Sequence, residues 1–211
     1  MYPTYTRSER VADGSMHAIG VTGALIGAIL LLVWSAQIAS PWEITAVSVY
    51  AITLMATFTA SAFYHMTPWE SIRPVLRRID HAAIYLKIAG TYTPLVVMIG
   101  SGLAYIVLAI IWALAVIGMT LKLVFWSTPG RFGPALYLIM GWMSIVLIWS
   151  SWTELPLGWI VAGGLLYTVG VVFHAAKNMK FANAIWHGFV IAASACFFVA
   201  ITFLVTQPGL A

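Results

Sequence analysis

Apolar residues fall along this chain in seven runs, each long enough to cross a hydrocarbon layer that takes about 20 helical residues. They cover residues 17–39, 44–65, 81–99, 103–125, 134–152, 156–176 and 184–206. The breaks between them read SPWE, TPWESIRPVLRR, GSG, WSTPGRFG, TEL and KNMKFAN, too short to hold a soluble domain. Connections of that length make consecutive helices antiparallel neighbours. The pattern therefore predicts an all-α integral membrane bundle of seven transmembrane helices. It divides the chain into a cytoplasmic N-terminal segment over residues 1–16, the helical domain over 17–206 and a short outer tail over 207–211. The first run is longer than the roughly 7–15 apolar residues of a signal-peptide core, so it reads as a retained helix.

Composition agrees with the pattern. Of 211 residues 62% are hydrophobic and 8% charged, against about 25% charged in soluble domains. The single cysteine, Cys196, excludes an intramolecular disulfide. The net charge of +4 matters through its placement. Arg7, Arg10, Arg73, Arg77, Arg78, Lys122, Arg131, Lys177 and Lys180 all fall on one side of the predicted bundle. By the positive-inside tendency that side is cytoplasmic, which puts the N-terminus inside, the C-terminus outside and the chain in an inner or plasma membrane as a multi-pass protein. Trp42, Trp152 and Trp159 would mark the outer interface, Trp69 and Trp126 the inner one.

Two features of the third run are not explained by lipid solubility. Lys87 lies about seven residues inside it, where a charge needs a partner or a wet cavity. Asp80 is two turns earlier on the same face, and helical side chains lean toward their own N-terminus, so Lys87 is expected to lean toward Asp80. Snorkelling to the interface is one account of it, a polar cavity lined by Asp80 and Lys87 the other. Further on, Pro94 removes a helical donor and crowds the carbonyl of Gly90. The glycine leaves room for the resulting kink, and Thr91 and Thr93 can bond freed backbone groups. GALIGA in the first run and GGLLYTVG in the sixth read as close-packing faces.

Four histidines gather at the inner side on different helices. His65 closes the second run with Ser61 one turn above it, His81 adjoins Asp80, His174 ends the sixth run and His187 begins the seventh. With Asp80 and Asn183 they form a group able to ligate zinc, since imidazole and carboxylate are ordinary zinc ligands. No pair of histidines shows the His-x-x-x-His spacing of one helix face.

SAFYH at the end of the second run, DHAAIYLKIAGTYTP in the third and NAIWHGFVIAAS in the seventh resemble the signature segments of the hemolysin III family. That family lies within the progestin and adiponectin receptor superfamily and is distantly similar to alkaline ceramidases. The resemblance spans the whole chain, with the three motifs in order. It implies a zinc ion inside the bundle near the cytoplasmic face. The implied ligands are His65, Asn183 and His187, with Ser61 and Asp80 beside a water.

Asn183 departs from the implied pattern, because an amide oxygen is a weak zinc ligand, and Phe197 stands where many relatives carry a further histidine. Three outcomes stay open. Asp80 becomes a ligand beside His65 and His187, His174 or His81 substitutes from a neighbouring helix, or the site is weak or empty.

The resemblance implies a zinc-dependent hydrolase of lipid amides or esters, with Asp80 as general base and Ser61 orienting the water, while Lys87 could steady an anionic headgroup. The expected partners are membrane lipids, with a homo-oligomer left open and no nucleic acid. Other classes stay in view: a pore or channel, since the family name refers to cytolysis, and a membrane-state sensor with a structural metal. The intramembrane charges cluster at one face and do not run across the bilayer as a conduction path would.

Overall fold

A computed structural model describes residues 5–125, 132–151, 155–176 and 178–206 of the chain. Its helices are α1 (Arg7–Ile38), α2 (Pro41–Met66), α3 (Arg73–Ile99), α4 (Gly102–Leu123), α5 (Phe132–Trp142), α6 (Ser144–Ser150), α7 (Leu157–Ala175) and α8 (Ala182–Thr206). The all-α expectation holds. Six of these helices, α1 to α4, α7 and α8, are long and apolar enough to cross a membrane, as expected of a multi-pass membrane protein. The fifth apolar run forms α5 and α6 in succession. Trp126, Arg131, Trp152, Lys177 and the 207–211 tail lie outside the described residues.

The sequence at the breaks specifies the helix ends. Thr6 and Glu9 form a capping box that starts α1 at Arg7, well before the apolar run begins. Ser40 and Glu43 repeat the device for α2, with Pro41 in the first turn, where its missing N–H costs nothing. Gly100, at φ 67°, ends α3 in the left-handed region that glycine enters freely, and Ser101 then caps α4.

Side-chain contacts give the directions of the helices. Gly20 meets Phe58 and His17 meets Ser61, so α1 and α2 are antiparallel. Thr57 donates to the Ala83 carbonyl and Tyr64 faces His81, while Trp112 bonds Thr93 and Gly118 abuts Tyr85. Gly163 against Phe197 and Gly170 against Phe189 run α7 and α8 antiparallel, and Gly27 against Phe198 closes the ring by setting α8 along α1. In the membrane, helices associate through such close packing and through interhelical hydrogen bonds. The first-run and sixth-run glycine segments thus contribute contacts through Gly27, Gly163 and Gly170.

Helix α3 is the axis. Its most apolar stretch is 61% buried, more than that of any other of the six long helices. Gly90 on this helix faces Thr53 of α2 so closely that an added Cβ would lie 2.7 Å from the Thr53 Cβ. Its role is therefore interhelical contact as well as room for Pro94. Thr91 and Thr93 bond back to the carbonyls of Lys87 and Ala89. Tyr92 reaches across to α5 and donates its hydroxyl to the carbonyls of Met140 and Gly141, each at 2.8 Å. The break between α5 and α6 follows directly, with Ser144 also bonding the Gly141 carbonyl.

Candidate metal centre

The capping box at Thr6 makes residues 7–16 part of the first long helix, and this places Asp13 one turn before His17 on the same face. Both are buried. The last turn of α2 brings His65 beside them, and the first turns of α8 bring His187. Ring centroids are 5.0 Å apart for His17 and His65, 4.2 Å for His17 and His187, and 4.6 Å for His65 and His187. The Asp13 carboxylate lies among the rings, with Oδ1 2.6 Å from His187 Nδ1 and Oδ2 3.3 Å from His65 Nδ1.

The hydrogen bonds fix which nitrogens carry protons. His17 Nδ1 lies 2.8 Å from the Asp13 carbonyl, which can only accept, so Nδ1 bears the hydrogen and Nε2 keeps its lone pair toward Ser61 Oγ at 3.3 Å. The same reasoning places the hydrogen of His187 on Nδ1, facing a carboxylate oxygen. His65 Nδ1 is buried without a hydrogen-bond partner; its approach to Asp13 is short but out of line. A buried, unsatisfied ring nitrogen beside two oriented imidazoles is the signature of a ligand position.

One ligating atom from each of Asp13, His17, His65 and His187 lies within 4.8 Å of the others. Zinc bonds of roughly 2.0–2.2 Å put tetrahedral ligand atoms about 3.3–3.6 Å apart, so the group fits zinc after small side-chain movements. Three imidazoles and one carboxylate are a conventional zinc donor set. The alternative roles of Asp13, ligand or orienting partner of His187, are both familiar at such sites.

The residues expected from sequence distribute around this group. His65 and His187 belong to it. Ser61 adjoins it through His17. Asp80 is buried at its edge, within electrostatic reach of His65 and His187, and its Oδ2 is 3.5 Å from His81 Nδ1. His81 also bonds the Arg77 carbonyl at 2.8 Å. His174 packs against Trp186 instead, with ring centroids 5.0 Å apart and the planes tilted by 46°. Asn183 donates its amide to the Tyr5 hydroxyl at 3.0 Å and so faces the N-terminal segment. Burial raises the Tyr5 phenol above its ordinary pKa, opposed by the Asn183 bond, and it stays neutral. Lys87 does not pair with Asp80 among the described ion pairs. Its ammonium turns to Ser194 of α8, where a hydroxyl and two aromatic faces receive it inside the bundle.

A small pocket of about 20 Å³ leads to the group, lined by Tyr5, Glu9, Asp13, His65, Phe181 and Asn183, with room for a water. Asn183 thus lines the pocket beside the group.

The chain matches the haemolysin-III related family over residues 5–198. It belongs to that family. This haemolysin-III related protein is 32% identical over 203 residues to the hemolysin-3 homolog of Bacillus subtilis (strain 168), covering 94% of this chain and 95% of that one. Hemolysin-3 of Bacillus cereus is 33% identical over 201 residues, 93% and 92% of the two chains. The monocyte to macrophage differentiation factor of Homo sapiens is 30% identical over 202 residues, 92% of this chain and 83% of that one. These relatives place the haemolysin-III related protein within the progestin and adiponectin receptor superfamily.

Asp13 and His17 join the group without being among the residues expected from the sequence. The signal was present as Asp-x-x-x-His behind a Thr-x-x-Glu helix start. It was hidden because the helix begins before the apolar run does.

Proposed function

We propose that this haemolysin-III related protein is a membrane-embedded, zinc-dependent hydrolase of an amide or ester bond in a membrane lipid, acting at the membrane face that carries its N-terminus. The observation that carries this reading is the convergence of Asp13, His17, His65 and His187 on one buried point beside a water-sized pocket. The basic helix ends make that face the cytoplasmic one, and α5 with α6 supplies the seventh crossing.

His17, His65 and His187 would hold the ion, with Asp13 orienting His187 through its Nδ1–H so that a position stays open for water. Zinc when bound would supply a Lewis acid that acidifies that water and polarises a carbonyl. Ser61 keeps His17 oriented by donating to Nε2 in the metal-free state. Asp80, beside the group without being one of its four members, takes the proton from water onto its carboxylate and returns it to the leaving group. Tyr64, buried and packed against His65 and His81, stands next to that transfer. The lipid-facing helices bring an acyl chain to the site without its leaving the membrane.

The test is fatty-acid release from lipid amides and esters by purified, zinc-loaded protein in vesicles. Asp80→Asn should retain zinc and lose turnover, and His65→Ala should lose both. Absence of release from every amide and ester offered, or equal release by His65→Ala, would sink the reading. A channel would instead carry ions in vesicles and survive His187→Ala.

A further inference from the structure

Two turns deeper in the bundle lies a second polar group, which the metal centre does not use. Phe58, Lys87 and Ser194 stand seven positions from His65, Asp80 and His187 respectively, about 10 Å along their helices. Lys87 is 6% exposed. Its Nζ donates to Ser194 Oγ at 2.6 Å and rests over the rings of Phe58 at 4.8 Å and Tyr167 at 5.0 Å. Ser194 is fully used: its hydroxyl donates to the Val190 carbonyl at 2.6 Å, and its oxygen receives Lys87 and, at 3.0 Å, the Tyr167 hydroxyl. The described ion pairs all join imidazoles to Asp13 or Asp80, so no carboxylate answers Lys87 among the described residues.

On α2, Tyr50 is 1% exposed and its hydroxyl is buried with no hydrogen-bond partner. It lies within electrostatic reach of Tyr167. The unfilled capacity of the layer is led by donors. Two ammonium N–H groups, set over aromatic rings, and one phenol O–H have no oxygen or nitrogen acceptor, and the one charge present is positive. A buried cation needs an opposite charge or many acceptors, and a surplus of donors is completed by an anion. Hydroxyl and ammonium donors together suit a compact, singly charged anion.

We propose that Lys87, Tyr50, Tyr167 and Ser194 form a binding site for a monovalent anion in the interior of the bundle, separate from the Asp13 group. The same chemistry recognises a free halide and the carboxylate of a single-chain lipid. A halide would arrive through water; a lipid carboxylate would arrive laterally, with its tail among the apolar helices.

The experiment uses the full-length protein purified in halide-free, delipidated form, treated with chelator so that the Asp13 group holds no metal. Radiolabelled chloride and radiolabelled palmitate are offered separately, and bound anion per chain is counted. Saturable binding of either in wild type is expected, with affinity reduced at least tenfold in Lys87→Met and several-fold in Tyr50→Phe, which removes only the unpartnered hydroxyl. Both variants are checked for an unchanged helical spectrum, and Tyr50→Phe stands as the test should Lys87→Met fail to fold. Chloride binding alone assigns the free anion, palmitate binding alone the lipid. Folded wild type that binds neither overturns the proposal. So does anion binding that survives Lys87→Met and disappears in His65→Ala, which would place the anion at the Asp13 group.

Discussion

His187 Nδ1 stands 2.6 Å from Oδ1 of Asp13, a residue 174 positions earlier in the chain. A bond this short between imidazole and carboxylate is charge-assisted and fixes the ring's proton on Nδ1. Removing Asp13 therefore removes the buried carboxylate of the group and the orientation of a ligand at once. Asp13→Ala and His187→Ala should each lower zinc affinity by 10- to 100-fold or more, the range typical of ligands and their orienting partners. Metal content per purified chain, read by mass spectrometry, checks this. Unchanged content in Asp13→Ala would remove Asp13 from the centre.

Asn183 lies one turn before His187, yet its amide is given to Tyr5. Four ligating groups are assembled without it. Asn183→Ala should leave zinc content unchanged while loosening residue 5 from the wall of the pocket. Asn183→His adds an imidazole on the ligand-bearing face of α8 and should raise the affinity, measured by competition with a chelator. A fall in zinc content in Asn183→Ala would mean that the amide is itself a ligand.

The helices were legible because lipid imposes a single requirement, an apolar run with its backbone bonds satisfied internally. His65 and His187 were legible because they stand at the ends of such runs. Asp13 was not, since hydropathy marks where the lipid starts and says nothing of where the helix starts. Lys87 illustrates a second limit. Spacing along α3 puts it on the same face as Asp80, but its partner is Ser194, on a helix 107 positions away in sequence. The break at Met143 was invisible for the same reason, because the hydroxyl that holds its carbonyls belongs to Tyr92 of another helix.

The contact of Gly90 with Thr53 leaves no space for a methyl group. The obstruction includes Thr53 Cβ at 2.7 Å and Cγ2 at 2.9 Å, atoms of a stiff β-branched side chain that cannot swing aside. Gly90→Ala should destabilise by about 1–3 kcal/mol, the usual cost of overpacking. Thr53→Gly in the same chain removes Cβ with Oγ1 and Cγ2 and should restore part of the loss, set against the roughly 1 kcal/mol that glycine costs inside a helix. Thermal unfolding in detergent measures both. Equal melting temperatures for wild type and Gly90→Ala would show that the helices separate without cost.

Tyr92 is 4% exposed and holds the Met140 and Gly141 carbonyls where α5 gives way to α6. Tyr92→Phe keeps the ring and deletes the donor, leaving buried carbonyls less satisfied at a cost of about 1–3 kcal/mol. Hydrogen exchange should rise first in residues 139–147, with α2 and α3 unaffected. Uniform exchange along the chain would argue that the break has another cause.

Glu9 joins the start of α1 to the start of α8 without touching a ligand. Its Oε2 accepts from the Thr6 backbone at 2.9 Å and the Thr6 hydroxyl at 2.7 Å, while Oε1 accepts from the Phe181 backbone at 3.1 Å. Phe181 has φ 60°, a left-handed conformation that a side chain makes unfavourable. The bond to Glu9 therefore helps to hold a strained residue one turn and a half before His187. Glu9→Ala releases both the cap of the Asp13 helix and this turn, so zinc affinity should fall although all four ligating residues remain. Phe181→Gly adopts φ 60° freely, and adding it to Glu9→Ala should recover part of the lost affinity. Chelator competition on the two single variants and the double variant decides the matter. If Phe181→Gly gives no recovery, the loss comes from the α1 cap alone, and if Glu9→Ala binds zinc as wild type does, the clasp has no part in shaping the centre.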